Sequence, residues 1–432
     1  MNVFKNIIVA ILAVLSIQVG VAQQTPAPPQ TKPIVIMGAT AHLGNGEVIE
    51  NSIIAFEQGK ITAVGNQALA QDFSTHQKID ATGKHIYPGF IAPNSQIGLV
   101  EIEAVRATRD SREIGYLKPH VRSIIAYSTD SRVTPTIRSN GVLLSQVVPQ
   151  GGRISGQSSI VHLDAWNWED AIYKGDDAIH LNWPSAFSYS GWWAEPGTIK
   201  SNKNYEKNTR EIETFFQEAK AYHKSTNRSK KNLLFDAMSG LFDGSKTLHV
   251  HTSYARSMMS AVLMAEKHGV NIVLVGAGEA WKITDFLKQH KTFVILSDIH
   301  SLPSRTDDDI DQVFKTPSIL AKAGITFCFS MNGAWQQRNL PFQAGHAVGF
   351  GLDYEKAIKA LTSDAAKILG IDKTTGSLVR GKDATLIIAD GDALDMRTCK
   401  IQHAFIQGRK IDVDNKQKAL ARKFRKKYKN QQ

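Results

Sequence analysis

The chain has 432 residues, with 42% hydrophobic and 21% charged side chains, an ordinary globular balance that excludes a disordered or collagen-like polymer. That length suits one large barrel with a small satellite domain. Two cysteines alone cannot build a zinc site, and the net charge of +11 comes without a recognised nucleic-acid-binding motif, so no nucleic-acid partner is expected.

Residues 1–22 read as a signal peptide. Lys5 supplies a basic start, and "IIVAILAVLSIQVGVA" is an apolar run closing on small residues, with cleavage expected after Ala22. An uncleaved anchor is the alternative, although the run is short for a membrane span. No cysteine lies nearby to carry a lipid. The mature protein is thus expected to be exported, periplasmic or extracellular. Residues 23–32 form a Pro/Gln stretch, expected to be an extended and mobile linker.

Residues 33–87 alternate apolar and polar side chains in short strands broken by turns such as Gly44-Asn45-Gly46. The same texture returns over residues 373–412. Between them, residues 88–372 alternate strands and helices every 20 to 30 residues. "KTLHVHTS", "VNIVLVGAG", "TFVILSDIH" and "ITFCFSMNG" read as strands. "YARSMMSAVLMAEKHG", "AWKITDFLKQH", "TPSILAKAG" and "DYEKAIKALTSDAAKILG" read as helices. This rhythm predicts an α/β fold: a (β/α)8 TIM-like barrel beside a small β-sandwich domain built from the N- and C-terminal segments.

In such a barrel, chemistry gathers at the C-terminal ends of the strands. The first strand offers Asn94, Ser95 and Gln96. Later strands offer His249 and His251, then Glu279, then Asp298 and His300, then Ser330, Met331 and Asn332. Strand residues two apart share a face, so His249 and His251 could share a metal, with Glu279 and His300 as further ligands. A pair of hydrogen-bonded interior histidines is the plainer reading. Ser95 or Ser330 beside His251 would be needed for nucleophilic chemistry, and no local motif supports it.

"HLDAWNWEDAIYKGDDAIHLNWPSAFSYSGWW", residues 162–193, holds five of the seven tryptophans. Trp166, Trp168 and Trp183 are candidates for stacking on a flat ligand or sugar, or else for packing a long excursion from the barrel. The preceding "VPQGGRISGQSS" lacks the lysine and helix of a phosphate loop and reads as turns. Cys328 lies in an apolar strand and reads as a buried free thiol. Residues 413–432 form a basic tail. Leu420, Phe424 and Tyr428 share one helical face, which either docks on the protein or lies on an anionic membrane surface.

Three stretches carry a family resemblance. "IYPGFIAPNSQIGL", "HVHTSYARSMMSAV" and the long block "RNLPFQAGHAVGFGLDYEKAIKALTSDAAKILGIDKTTGSLVRGKDATLIIADGD" resemble the amidohydrolase superfamily, in particular exported bacterial amidohydrolases related to imidazolonepropionase. The resemblance implies a metal-hydrolase barrel, hydrolysis of non-peptide carbon–nitrogen bonds such as cyclic amides or imides, and a divalent metal, zinc or manganese. It also shows departures. The family's His-x-His of the first strand falls on Asn94 and Gln96, and its preceding Asp on Ala92. The strand-five ligand falls on His251. The strand-six His falls near Gly276 or Gly278, and the Asp that activates water falls on Met331 or Asn332. Amides are weak, neutral ligands that suit harder cations at best.

Three readings follow. One is a divergent, inactive member that binds a small molecule or an active paralogue, with no metal. Another is a hydrolase with a rearranged single-metal site around His251. The third is a non-catalytic cell-envelope protein, alone or as a homo-oligomer.

Overall fold

The computed structural model describes residues 26–429 other than 67, 70–71, 193, 227–229 and 304–306. The expected signal peptide, residues 1–22, lies outside the described residues. Five strands open the chain: β1 (Ile34–His42), β2 (Val48–Glu57), β3 (Lys60–Asn66), β4 (Gln77–Asp80) and β5 (His85–Pro88). The barrel starts at β6 (Phe90–Ser95). It continues through α1 (Thr134–Arg138), β7 (Val142–Val147), β8 (Ile154–His162), α2 (Trp168–Ala171) and β9 (Ile172–Asn182).

A hairpin of β10 (Phe187–Trp192) and β11 (Glu195–Ser201) leads to α3 (Tyr205–Lys224) and α4 (Leu233–Phe242). Regular βα alternation then runs β12 (Thr247–Thr252), α5 (Ala255–His268), β13 (Ile272–Gly276), α6 (Thr284–Gln289), β14 (Phe293–Leu296), α7 (Gln312–Lys322) and β15 (Phe327–Phe329). Three helices follow, α8 (Leu340–Gly349), α9 (Tyr354–Leu361) and α10 (Ser363–Ile368). The chain returns through β16 (Leu386–Asp390), β17 (Lys400–Ile406) and β18 (Arg409–Ile411), and ends in α11 (Lys416–Lys429).

The barrel sheet has the order β6-β7-β8-β9-β12-β13-β14-β15. It curls until β15 comes alongside β6, nearly closing. Its rhythm is uneven. From β9 onward every neighbour is parallel, but β8 runs antiparallel to both β7 and β9. The third barrel position is therefore filled by a hairpin strand, not by a βα unit.

This corrects the expectation that "VPQGGRISGQSS" is all turn: only residues 151–153 bend, and the strand starts at Ile154. Gly156 is a strand glycine for another reason. Its φ is +133°, and a Cβ built there would fall inside contact distance of the Val121 carbonyl oxygen. The segment before α1 crosses β8 at that point, where Gln157 donates its backbone N–H to the same carbonyl at 2.7 Å. Gly156→Ala is expected to cost about 2–3 kcal/mol, from backbone strain plus the close approach. An unchanged midpoint of guanidinium unfolding would sink that account.

Sequence periodicity explains the helices that cover the second half. In α5 the buried residues Met258, Ala261, Val262 and Ala265 recur at helical spacing, and Gly269, at φ 70°, ends the helix in the left-handed region. The block read as one helix over residues 353–370 breaks at Thr362, giving α9 and α10.

The terminal strands form one sheet in the order β18-β17-β16-β5-β1-β2-β3, with β4 paired to β1. Antiparallel pairing of β16 with β5 joins the two ends of the chain. The sheet curls until β3 meets residues 381–384, where the Ile61 N–H donates to the Lys382 carbonyl. Ile36, Ile54, Phe56, Ile86, Leu386 and Phe405 then form a closed apolar layer, with the Phe56 and Phe405 rings 5.1 Å apart.

The linker expectation needs correction over its described part, residues 26–32. Ala27 donates its N–H to Asp164 at 3.0 Å and accepts from Arg409 at 3.2 Å. The Gln30 side chain bonds Gly59 and Phe56. The segment is a strap fastened to both domains.

Candidate ligand site at the barrel mouth

The strand-five histidines do meet, though not with the partners expected. Strand register sets His180 of β9 beside His249 of β12. Their rings lie 4.9 Å apart at 62° to each other, and the His180 Nδ1 and His251 Nε2 atoms are 2.9 Å apart in a hydrogen bond. His180 and His249 are buried. Burial pushes the pKa of His249 down to about 3 and of His251 down to about 4, and it holds His180 well below the usual imidazole value. All three are neutral near neutral pH. His180 Nε2 and His249 Nδ1 have no hydrogen-bond partner among the described residues.

The other expected ligands do not join them. Glu279 Oε2 accepts from the Ala255 N–H at the start of α5, and Oε1 lies 3.2 Å from Lys282 Nζ. Glu279 is a helix cap. His300 is exposed and its ring lies 5.1 Å from that of His346. Ser95 and Ser330 are equally committed: Ser95 Oγ accepts from the Ile97 N–H, and Ser330 Oγ donates to the Leu296 carbonyl. The nearest buried carboxyl on β9, Asp177, accepts from Gln146 at 2.8 Å and Ser158 at 2.7 Å. Burial raises its pKa.

The family resemblance implies a centre built from strong His and carboxylate donors on several strands. Here the first strand supplies amides, and Asn94 sits at φ 50° in a bulge between Ala92 and Ser95, its N–H donating to Gln146. Among the described residues no group of three or more His, Cys, Asp or Glu side chains is arranged to hold a metal ion. The side chains present do not fit the expected divalent centre, whose proposed ligands His249, His251, Glu279 and His300 do not converge.

What the strand ends do form is a cavity of about 390 Å3, lined by Gln96, Gln150, Asn332, Gln336, Arg109 and Arg112, with Ser111 and Glu103 at its edge. Gln96 and Asn332, two positions expected to be degenerate, thus come together, while Asn94 does not line the cavity. The wall is made by the long connection after β6. Gln150 donates its N–H to the Ser111 carbonyl at 2.7 Å, and Lys118, buried beneath, donates to the Glu113 carbonyl at 2.7 Å. Opposite, the buried Gln337 amide donates to the Met331 and Gly333 carbonyls and fixes the turn that carries Asn332.

Arg109 and Arg112 are exposed, and among the described residues neither is in an ion pair. A mouth with two guanidinium groups, four amides and one carboxylate is matched to an anion, since the arginine fork pairs a carboxylate by two parallel hydrogen bonds.

Sequence reasoning missed Arg109 and Arg112, which lie in "EIEAVRATRDSREIGYLK" with no helical or strand period. Only the length of that connection pointed to function. It also missed His180, because β9 was taken as part of a tryptophan-rich excursion. The tryptophans are not one site. Trp166 and Trp168 flank the start of β9, whereas Trp183 follows its end, eleven strand residues away. Trp183 is buried, with its Nε1–H donating to Tyr205.

No curated protein matches the sequence. The profile of the Amidohydrolase family matches residues 246–413, which are the regular βα half of the barrel and the returning strands. Among solved structures, an amidohydrolase from Thermotoga maritima MSB8 superposes with a TM-score of 0.74 at 21% identity, covering 88% of this chain and 99% of that one. A prolidase complexed with N-methylphosphonate-L-proline gives 0.54 at 14% identity, covering 88% and 99%. A Xaa-Pro dipeptidase with methionine bound in its active site gives 0.54 at 15% identity, covering 88% and 100%. At these identities the structures show a shared fold.

Proposed function

We propose that this member of the amidohydrolase superfamily is a divergent one that binds a small carboxylate-bearing molecule at its barrel mouth and does not run the superfamily's metal-activated hydrolysis. The observation that carries this reading is the lining of the mouth: Gln150, Gln336, Arg109 and Arg112 stand around Gln96 and Asn332, which occupy positions where the family resemblance puts a histidine and an aspartate. Amide side chains hold a polar ligand by hydrogen bonds and cannot take a proton from water near neutral pH. A methionine ligand in one structural neighbour is of the same chemical class.

One observation keeps a second reading in play. The His180 Nε2 and His249 Nδ1 atoms, which have no partner among the described residues, belong to rings buried side by side. A rearranged single-metal site would use these two nitrogens, with His251 Nε2 added once its hydrogen bond to His180 Nδ1 is broken.

Two measurements separate the readings. Titration calorimetry with N-acyl amino acids and short dicarboxylates is expected to show binding that Arg112→Ala weakens roughly tenfold to a hundredfold, from the loss of a charge-assisted pair. Metal counting by mass spectrometry, on protein purified without chelators or a histidine tag, is the other arm. Close to one zinc or manganese per chain, lost in His249→Ala, would replace this proposal with the rearranged hydrolase. Absence of binding by the whole acid panel would also end it.

A further inference from the structure

The basic tail is a formed helix with an uncovered apolar stripe. α11 is joined to the barrel only near its start. Asn415 caps it by accepting from the Lys418 N–H and donates to Ser139 Oγ at 2.9 Å, and Thr136 donates to Gln417 at 3.0 Å. Beyond that turn no residue of the helix is buried. Leu420, Phe424 and Tyr428 are 41%, 53% and 56% exposed, although their spacing of four puts them on one line. This corrects the expectation that the stripe docks on the protein. The Phe424 and Tyr428 rings are stacked, 6.4 Å apart.

Every charged side chain around the stripe is a cation: α11 holds eight Lys and Arg residues and no acid. Lys423 and Lys427 border it on one side and Arg425 on the other, at 100° per residue. Arg422 is spent on Asp414, and Lys418 donates to the Val413 carbonyl. Among the described residues no carboxylate pairs with Lys423, Arg425, Lys426 or Lys427.

We propose that α11 docks this protein on an anionic lipid bilayer, with Leu420, Phe424 and Tyr428 entering the headgroup boundary and the flanking Lys and Arg side chains lying on the lipid phosphates. An apolar stripe with aromatic ends and a strongly cationic border is the pattern of a helix lying in a membrane interface. A second copy of the chain is a poor occupant, because it would set one cationic helix against another. The helix lies on the bilayer and does not cross it: among the described residues no helix is long and apolar enough to span a membrane.

The test is co-sedimentation of the full chain with vesicles of phosphatidylcholine alone and of phosphatidylcholine mixed with phosphatidylglycerol. Three proteins are compared: the natural sequence, the charge variant Lys423→Glu/Arg425→Glu/Lys427→Glu, and the stripe variant Phe424→Ala/Tyr428→Ala. All the substituted side chains are exposed, so folding is not at stake. The natural chain is expected to bind the mixed vesicles, with roughly a hundredfold loss in the charge variant, roughly a tenfold loss in the stripe variant and weakening by salt. Equal binding to both vesicle types would overturn the proposal, since the apolar segment at residues 7–22 would then be responsible. So would a stripe variant that binds as well as the natural chain, because plain polyanion attraction needs no aromatic stripe.

Discussion

Acidification from about pH 7.5 to about pH 5 is expected to weaken the folded state by roughly 6 kcal/mol, most of the stability of an ordinary domain. The cause is buried imidazole. His162 and His251 are held down at about 4 and His249 at about 3, in each case chiefly by burial. In the unfolded chain the same groups titrate at about 6.5. A depressed folded pKa means that the unfolded chain binds more protons below pH 6.5. Stability is therefore fully present above that value and is lost as pH falls toward the folded values. Each of these three contributes about 2 kcal/mol of loss at about pH 5, and His180, held below its usual value by burial as well, adds to it. Asp177 works in the opposite direction, since burial raises its carboxyl, and offsets part of the loss. Guanidinium unfolding curves at several pH values would read the slope, and His249→Leu should flatten it by the share of one histidine, about 2 kcal/mol over the range. Equal midpoints at both ends of the range would show that the imidazoles are not held in a dry core.

The same histidines show what a sequence carries and what it hides. His249 and His251 were readable as a pair because a strand has period two. Their real partner, His180, comes from the neighbouring strand through register, and no pattern within one segment encodes register. The regular half of the barrel, β12 to β15, was legible because each strand is followed by a helix with its own apolar stripe. The first half was not. There β7, β8 and β9 follow one another antiparallel through short connections with no full-length helix between them, so the βα rhythm is missing, and Gly156 reads as a turn when it marks a close backbone crossing. The candidate mouth suffered most. Gln96 and Asn332 were visible as strand-end residues, whereas Arg109 and Arg112 lie on a connection ordered by single backbone bridges such as Arg112 with Gln150. The tryptophans misled because nearness in sequence across a strand is distance in space: eleven residues of β9 span roughly 35 Å.

Asp164→Ala is expected to cost about 3–5 kcal/mol and to loosen the N-terminal strap. Asp164 is where the separate parts of the chain meet. Its carboxylate is 2.6 Å from Arg138 on α1 and 2.8 Å from Arg409 on β18, and it accepts the Ala27 N–H of the strap. The Asp164 and Arg138 side chains are 5% and 7% exposed, so removing the carboxylate strands a guanidinium away from water. Among the described residues Arg138 Nε has no partner, so the bond from Nη1 to the Leu163 carbonyl at 3.0 Å is what remains to compensate. Arg409 keeps its bond to the Asp164 backbone carbonyl at 2.8 Å and remains partly solvated, so it suffers less. Asp164→Asn retains an acceptor and loses the charge, and should fall between the natural chain and the alanine variant. Arg138→Met in the Asp164→Ala background should recover part of the loss, because the stranded charge is then gone. Hydrogen exchange at the Ala27 amide reports the strap directly. Faster exchange with an unchanged unfolding midpoint would mean that Asp164 holds the strap alone. A loss in both would make it the joint between the discontinuous β-domain and the barrel.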